Sequence, residues 1–169
     1  MKKLVFLFVC LFVVVVATEN VNAQPTKSVE VTATANIITP INITKSAELS
    51  FGNIIASTTA GEVIVDYNNT RTQTGGATFP SIDGSISAAQ FEVTGFANAL
   101  YSITLPEDNV VKLTGNGVDM NITDFEHNAD EKLGNNGKET FKIKAKLQVN
   151  AGQEAGEYSN TFDVTVNYN

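Results

Sequence analysis

The chain has no tryptophan, one cysteine, one histidine and four prolines among its 169 residues. The cysteine, Cys10, lies in an apolar stretch near the start, so everything after it is free of thiols. That excludes disulfide staples and any zinc or iron–sulfur centre built on thiolates from the rest of the chain. Without tryptophan, an aromatic platform for sugars falls to four tyrosines, which mostly sit in strand patterns. Basic charge is scarce as well: 11 Lys and Arg stand against 18 Asp and Glu, a net charge of −7. Such a surface repels nucleic acid and anionic lipid. No window of helical length carries a 3.6-residue apolar stripe, which argues against helices.

What is present starts with an address. Lys2 and Lys3 precede an unbroken apolar run from Leu4 to Ala17, and Val21-Asn22-Ala23 forms a small-residue cleavage site. A helix of that length spans about 21 Å, short of the roughly 30 Å of a bilayer core. Residues 1–23 are therefore expected to be a cleaved signal peptide and 24–169 a single domain. Cys10 lies inside the run rather than closing it, which argues against a lipidated signal. Cleavage takes 23 of the 169 residues and leaves 146, enough to bury a core. It also removes Lys2, Lys3 and Glu19, so nine basic and seventeen acidic residues remain. The expected destination is the periplasm, cell surface or an extracellular fibre of a Gram-negative-type bacterium.

Alternation of apolar and polar residues recurs along the rest. "SVEVTATANI" places Val29, Val31, Ala33, Ala35 and Ile37 on one face before Pro40 interrupts, and "INI", "ELSFGNI" and "EVIVDY" follow. A loop is expected from Asn68 to Ser85. "AAQFEVTGF" and "ALYSITLP" read as paired strands around residues 95–98, then come "NVVKLTG" and "VDMNITDFEH". The clearest strand is "TFKIKAKLQVN". Phe141, Ile143, Ala145, Leu147 and Val149 face one way and Lys142, Lys144 and Lys146 the other, so a one-residue slip would bury three lysines. "AGQEAGE" turns the chain, and the terminal strand is expected beside this one. The pattern predicts an all-β, immunoglobulin-like antiparallel sandwich of roughly nine or ten short strands.

Catalytic signals are thin. His127, the single histidine, sits in the acidic "FEHNADEK" with no nucleophile elbow near it, and reads as an exposed loop residue. Carboxylates such as Glu107 with Asp108, or Asp119 with Asp124, Glu126, Asp130 and Glu131, read as turn residues rather than a glycosidase pair. Asp119, Asn121 and Asp124 have loosely calcium-like spacing but lack the glycine and distal glutamate of an EF-hand loop. Thr74-Gly75-Gly76 is not followed by Lys-Ser/Thr and reads as a loop. The sequons at Asn42, Asn68 and Asn121 matter only in a eukaryotic secretory pathway. No enzyme, cofactor or metal is expected.

The chain's two ends carry more. "GEYSNTFDVTVNYN" sets Phe162, Val164, Val166 and Tyr168 against polar neighbours. A strand with free backbone groups along one side pairs with another chain, and alternate side chains supply specificity. These residues resemble the C-terminal motif of chaperone–usher pilus subunits: Gly156 is fourteenth from the end, the apolar residues alternate, and Tyr168 is penultimate. The resemblance implies pairing with a strand of a periplasmic chaperone before assembly. In the fibre, the N-terminal segment of another copy then fills the groove. Residues 29–37 alternate as a donated strand would, or as the domain's own first strand. Over most of the chain, "ATANIITPINIT", "LSFGNI", "FEVTGFANALYSITLP" and "AKLQVNAGQEAGEYSNTFDVTVNY" resemble the domain-of-unknown-function family 4402. That family is similar to spore-coat-U-like and pilin-type sandwiches, which implies a surface or fibre protein. The lack of cysteine departs from the early disulfide of many pilus subunits, which puts dependence on the usual chaperone in doubt. The expected function is a non-enzymatic structural subunit of a bacterial surface fibre or adhesive layer. The competing reading is a self-complete monomeric binding module for a glycan or calcium.

Overall fold

The computed structural model describes residues 25–169. The expected signal peptide, with Cys10, lies outside them. The chain divides into two units, one up to Asn36 and one from Ile37 to Asn169. In the first unit, residues 25–36 form no strand and every one of them is exposed. Val29 and Val31 are 85% and 83% exposed. Of the two readings left open for residues 29–37, a strand of the domain's own is not seen here, since the first strand starts at Asn42.

The second unit is all-β and antiparallel, with eleven strands among the described residues. They are β1 (Asn42–Ala47), β2 (Ser50–Phe51), β3 (Gly61–Val65), β4 (Arg71–Gly75), β5 (Ile86–Ser87), β6 (Ala89–Thr94) and β7 (Tyr101–Thr104). After them come β8 (Lys112–Leu113), β9 (Met120–His127), β10 (Lys138–Val149) and β11 (Thr165–Tyr168). The lysine-striped segment is β10, the longest strand, and its pattern is the one expected: Phe141, Ile143, Ala145, Leu147 and Val149 are buried.

β10 organises the rest. Ile143 faces both Ala89 and His127, and Leu147 faces both Val63 and Ile122. So β9 runs along one edge of β10, while β6 and then β3 share the other edge. One long strand serving two successive neighbours makes the sheet curl. On its polar side, Lys144 pairs with Glu126 at 2.9 Å and Lys146 with Asp124 at 2.7 Å. Lys142 donates to the Tyr67 carbonyl at 2.8 Å.

Three sequence expectations are corrected by the pairing. β6 and β7 are not a hairpin: β6 pairs with β1 and β10, and β7 with β11. The terminal strand lies beside β7 rather than β10. The expected loop 68–85 contains β4, which closes a hairpin onto β3. That turn is set by Asp66, whose carboxylate accepts from the Asn68 and Thr70 amides, both at 2.9 Å, and from the Thr70 hydroxyl at 2.8 Å. These bonds, the Thr70 amide foremost, hold the Asp66 carboxyl below the usual carboxylate range.

Two core clusters result. One gathers Phe51, Val63, Val65, Met120, Ile122, Leu147 and Val149; the other gathers Phe91, Val93, Tyr101, Leu133, Phe141 and Ile143. Leu49, Phe125 and Phe162 pack against both, with the Phe125 and Phe162 rings 5.1 Å apart. In the second cluster, the Glu139 carboxylate accepts from the Tyr101 hydroxyl at 2.8 Å and from the amides of Asp130 and Lys132. Tyr101 is fully buried, and burial, reinforced by Glu139, raises its phenol well above its ordinary value. Bonds to Glu126 and Asp124 raise Lys144 and Lys146 in the same direction.

All three groups hold a proton more tightly in the folded chain, so their stabilisation is complete below the unfolded values near pH 10. It is lost as pH rises through the folded values. Urea unfolding free energies are therefore expected to be flat around neutrality and to fall steeply above about pH 10. Tyr101→Phe should flatten that alkaline slope. An unchanged slope in the variant would remove Tyr101 from the account.

Candidate functional site

A groove of 620 Å³ lies on the first core cluster. Met120, Ile122, Leu147 and Val149 line it together with Leu113, residues 49–56 and residues 153–156, 158–160 and 162. Its two long walls are stretches of chain with alternate backbone groups unpaired.

The first wall runs through residues 52–56. Asn53 and Ile55 bond backward, Asn53 N to Asp83 O at 2.6 Å, and Ile55 to Thr78 in both directions at 2.8 and 2.9 Å. Alternate peptide groups in extended chain point to opposite sides. The N–H and C=O groups of Ile54 and Ala56 therefore face the groove, and they make no hydrogen bond among the described residues. The sequence alone does not give this parity. Leu49 and Phe51 point into the core, but after Gly52 the inward residues are Ile54 and Ala56. Gly52, at φ +69°, supplies the extra residue that switches the phase.

The second wall is residues 158–162. Ser159 bonds to Thr114 in both directions, at 3.0 and 3.1 Å, leaving the backbone groups of Tyr158 and Asn160 turned the other way without partners among the described residues. Phe162 closes the wall against Phe125. The site is thus an apolar floor between two rails of free donors and acceptors. Such rails accept an extended peptide as an added strand.

The residues singled out from the sequence fall in three places. Phe162 and Gly156 line the groove. Gly156 has no positive φ, so no left-handed turn requires a glycine there. Val164, Val166 and Tyr168 pack half-buried against the second cluster, and β11 pairs residue for residue with β7 from Thr165 to Tyr168. The Tyr168 hydroxyl accepts from the Phe96 amide at 2.6 Å and donates to the Thr39 carbonyl at 2.7 Å. Gly95 leaves room for it, since a Cβ there would collide with that hydroxyl. Within the candidate donor, Val29, Val31, Ala33 and Ala35 belong to the exposed unit, and Ile37, at the start of the body, is 95% exposed.

The chemistry-bearing residues do not converge. His127 is half-buried rather than exposed: it ends β9, its ring stands edge-on to Phe141 at 6.1 Å, and its Nδ1 accepts from the Ala129 amide at 3.3 Å. Asp108 accepts from the Asp124 amide at 2.7 Å, while the Asp124 carboxylate is engaged by Lys146. Among the described residues no group of three or more His, Cys, Asp or Glu is arranged to hold a metal ion. No helix among them is long and apolar enough to cross a membrane.

The residue that sequence reasoning missed is Arg71. Its guanidinium side chain is 4% exposed and donates to the carbonyls of both Phe51 and Asn53 at 2.7 Å, behind the first wall. A single arginine opening a polar stretch, "RTQTG", gives no sequence signal that it will be buried.

A family model described as "Domain of unknown function (DUF4402)" matches residues 41–168. No curated protein and no solved structure matches the chain.

Proposed function

The chain belongs to the DUF4402 family of unknown function, and from that premise we propose that it is an exported, non-enzymatic structural subunit of a bacterial surface fibre or adhesive layer, assembled by β-strand exchange. Residues 29–37 of one copy enter the groove of the next and pair with Ile54 and Ala56 on one side and Tyr158 and Asn160 on the other. The observation that carries this is a complementarity within one chain. One chain carries both a segment of alternating apolar residues with no covering and, in its body, a groove with an apolar floor and unpaired backbone rails.

The small side chains fit this geometry. Met120, Ile122, Leu147 and Val149 supply large side chains to the floor, so a strand bearing Ala33 and Ala35 needs only Val29, Val31 and Ile37 to supply most of the buried area. Chain reach favours a second copy. Tyr168 holds Thr39 at the end of the body where β10 begins. The groove floor at Leu147 lies nine residues further along β10, about 30 Å. From Thr39 back to Ala33 the chain reaches at most about 20 Å, too short to centre the segment on its own groove.

Under this reading the body is an immunoglobulin-like, pilin-like sandwich that accepts a strand from outside. The exchanged end is the N-terminal one, since β11 is already paired with β7. That same pairing favours the competing reading, a self-complete monomeric module binding a glycan or calcium. A synthetic peptide of residues 27–39 decides between them. Light scattering after size exclusion should show oligomers of the mature protein that shorten when the peptide is in excess. A monomer at all concentrations, indifferent to the peptide, would sink strand exchange.

A further inference from the structure

We infer that Arg71 is the positioning residue that holds the 52–56 wall ready to capture a strand, an inference that rests on the strand-exchange reading. Behind this wall β2 pairs with β5 through Phe51 and Ile86, and Ile55 bridges to Thr78. Between those two points the neighbouring chain, residues 79–85, forms no strand and bonds the wall's backbone only through Asp83 O, which accepts from Asn53 N at 2.6 Å. Arg71 takes the place of a strand there. Nη1 donates to Phe51 O and Asn53 O, each at 2.7 Å, Nη2 donates to Asp83 Oδ1 at 2.7 Å, and the guanidinium carbon lies 3.9 Å over the Phe79 ring.

A buried guanidinium is a costly filler, because its charge must be taken out of water. An apolar side chain would pack the same space. What only the planar fork supplies is several donors with fixed directions, two carbonyls on one side and a carboxylate on the other. Both carbonyls are thereby fixed backward, and the Ile54 and Ala56 peptide groups that follow them along the wall are held facing the groove. Gly52 completes the bracket. At φ +69°, its position would place a Cβ against the Asp83 carbonyl and 2.7 Å from Nη1, so the chain passes too close for any other residue.

Amide hydrogen exchange on the full mature chain tests this, with and without excess peptide of residues 27–39. Wild type is compared with Arg71→Met, which keeps length but has no donors, and with Arg71→Lys, which keeps charge but not the fork. The peptide should slow exchange at Ile54 and Ala56 at least tenfold in wild type. Arg71→Met should keep the slow amides of β10 and bind the peptide at least tenfold more weakly, with Arg71→Lys between the two. If Arg71→Met captures the peptide as tightly as wild type, Arg71 has no positioning role and strand exchange still stands. If wild type itself shows no slowing at any peptide concentration, both ideas fall. Should Arg71→Met lose the protection of β10, Arg71→Lys decides: capture equal to wild type overturns the inference.

Discussion

Under the strand-exchange reading, protein that starts at residue 39 is expected to run as a monomer at concentrations where protein that starts at residue 24 forms ladders, with its body folded as before. The second half of that expectation follows from exposure. Residues 25–38 are exposed throughout and contribute no residue to either core cluster. Deleting a solvated segment of this kind changes stability by no more than about 0.5 kcal/mol.

The first half follows from what the segment offers a groove. Burying Val29, Val31 and Ile37 is worth roughly 1.5–3 kcal/mol each, and each net backbone hydrogen bond about 0.5–1.5 kcal/mol more. Together these outweigh the lower estimates of the association penalty, about 4 kcal/mol, and removing them leaves nothing to hold copies together. Val31→Asp should weaken assembly in the same direction, because a carboxylate at the centre of the strand meets an apolar floor. Light scattering on the three proteins checks the set. A truncated chain that unfolds would instead make residues 29–37 part of the body and favour the self-complete module.

Much of the body was legible because its strands repeat every two residues. β10 reads unambiguously, since lysines on one face and large apolar residues on the other leave one register. The same signal is silent about partners. Residues 29–37 alternate as well as β10 begins to, yet they pair with nothing among the described residues, because periodicity records a face to be covered and not what covers it. The terminal strand is legible as a strand, but its neighbour is β7 and not the preceding strand β10. Short connections favour adjacent pairing, whereas residues 150–164 carry the chain across the groove to β7.

The site was the least legible part. Its rails exist because Gly52 shifts the inward phase by one residue and because Arg71 reaches from β4 to two carbonyls on another segment. A bulge glycine in "SFGNII" reads as a turn, and a guanidinium's destination depends on tertiary geometry that no local pattern encodes.

Phe141→Ala is expected to lower the unfolding free energy by about 3–5 kcal/mol without changing how tightly each folded molecule captures the peptide of residues 27–39. Phe141 is 1% exposed, and its ring stacks on Phe91 across the β6–β10 ladder at 5.5 Å. It also receives the His127 edge and packs in one cluster with Tyr101 and Leu133. Truncation leaves a hole that two ladder-bound strands cannot close, so both the lost transfer energy and the cavity count. For a domain whose stability totals roughly 5–15 kcal/mol, that is a large share, and urea titration should show the midpoint falling with little change in slope. Capture should survive because the groove is floored by the other cluster: Met120, Ile122, Leu147 and Val149 line it, and Phe141 does not. The long strand β10 thus uses its first half to hold the sheets together and its second half to floor the groove. A loss of stability below about 1.5 kcal/mol would mean that the second cluster relaxes around the hole. A parallel loss of peptide capture in the folded fraction would mean that the two halves of β10 are mechanically coupled and the groove has no independent floor.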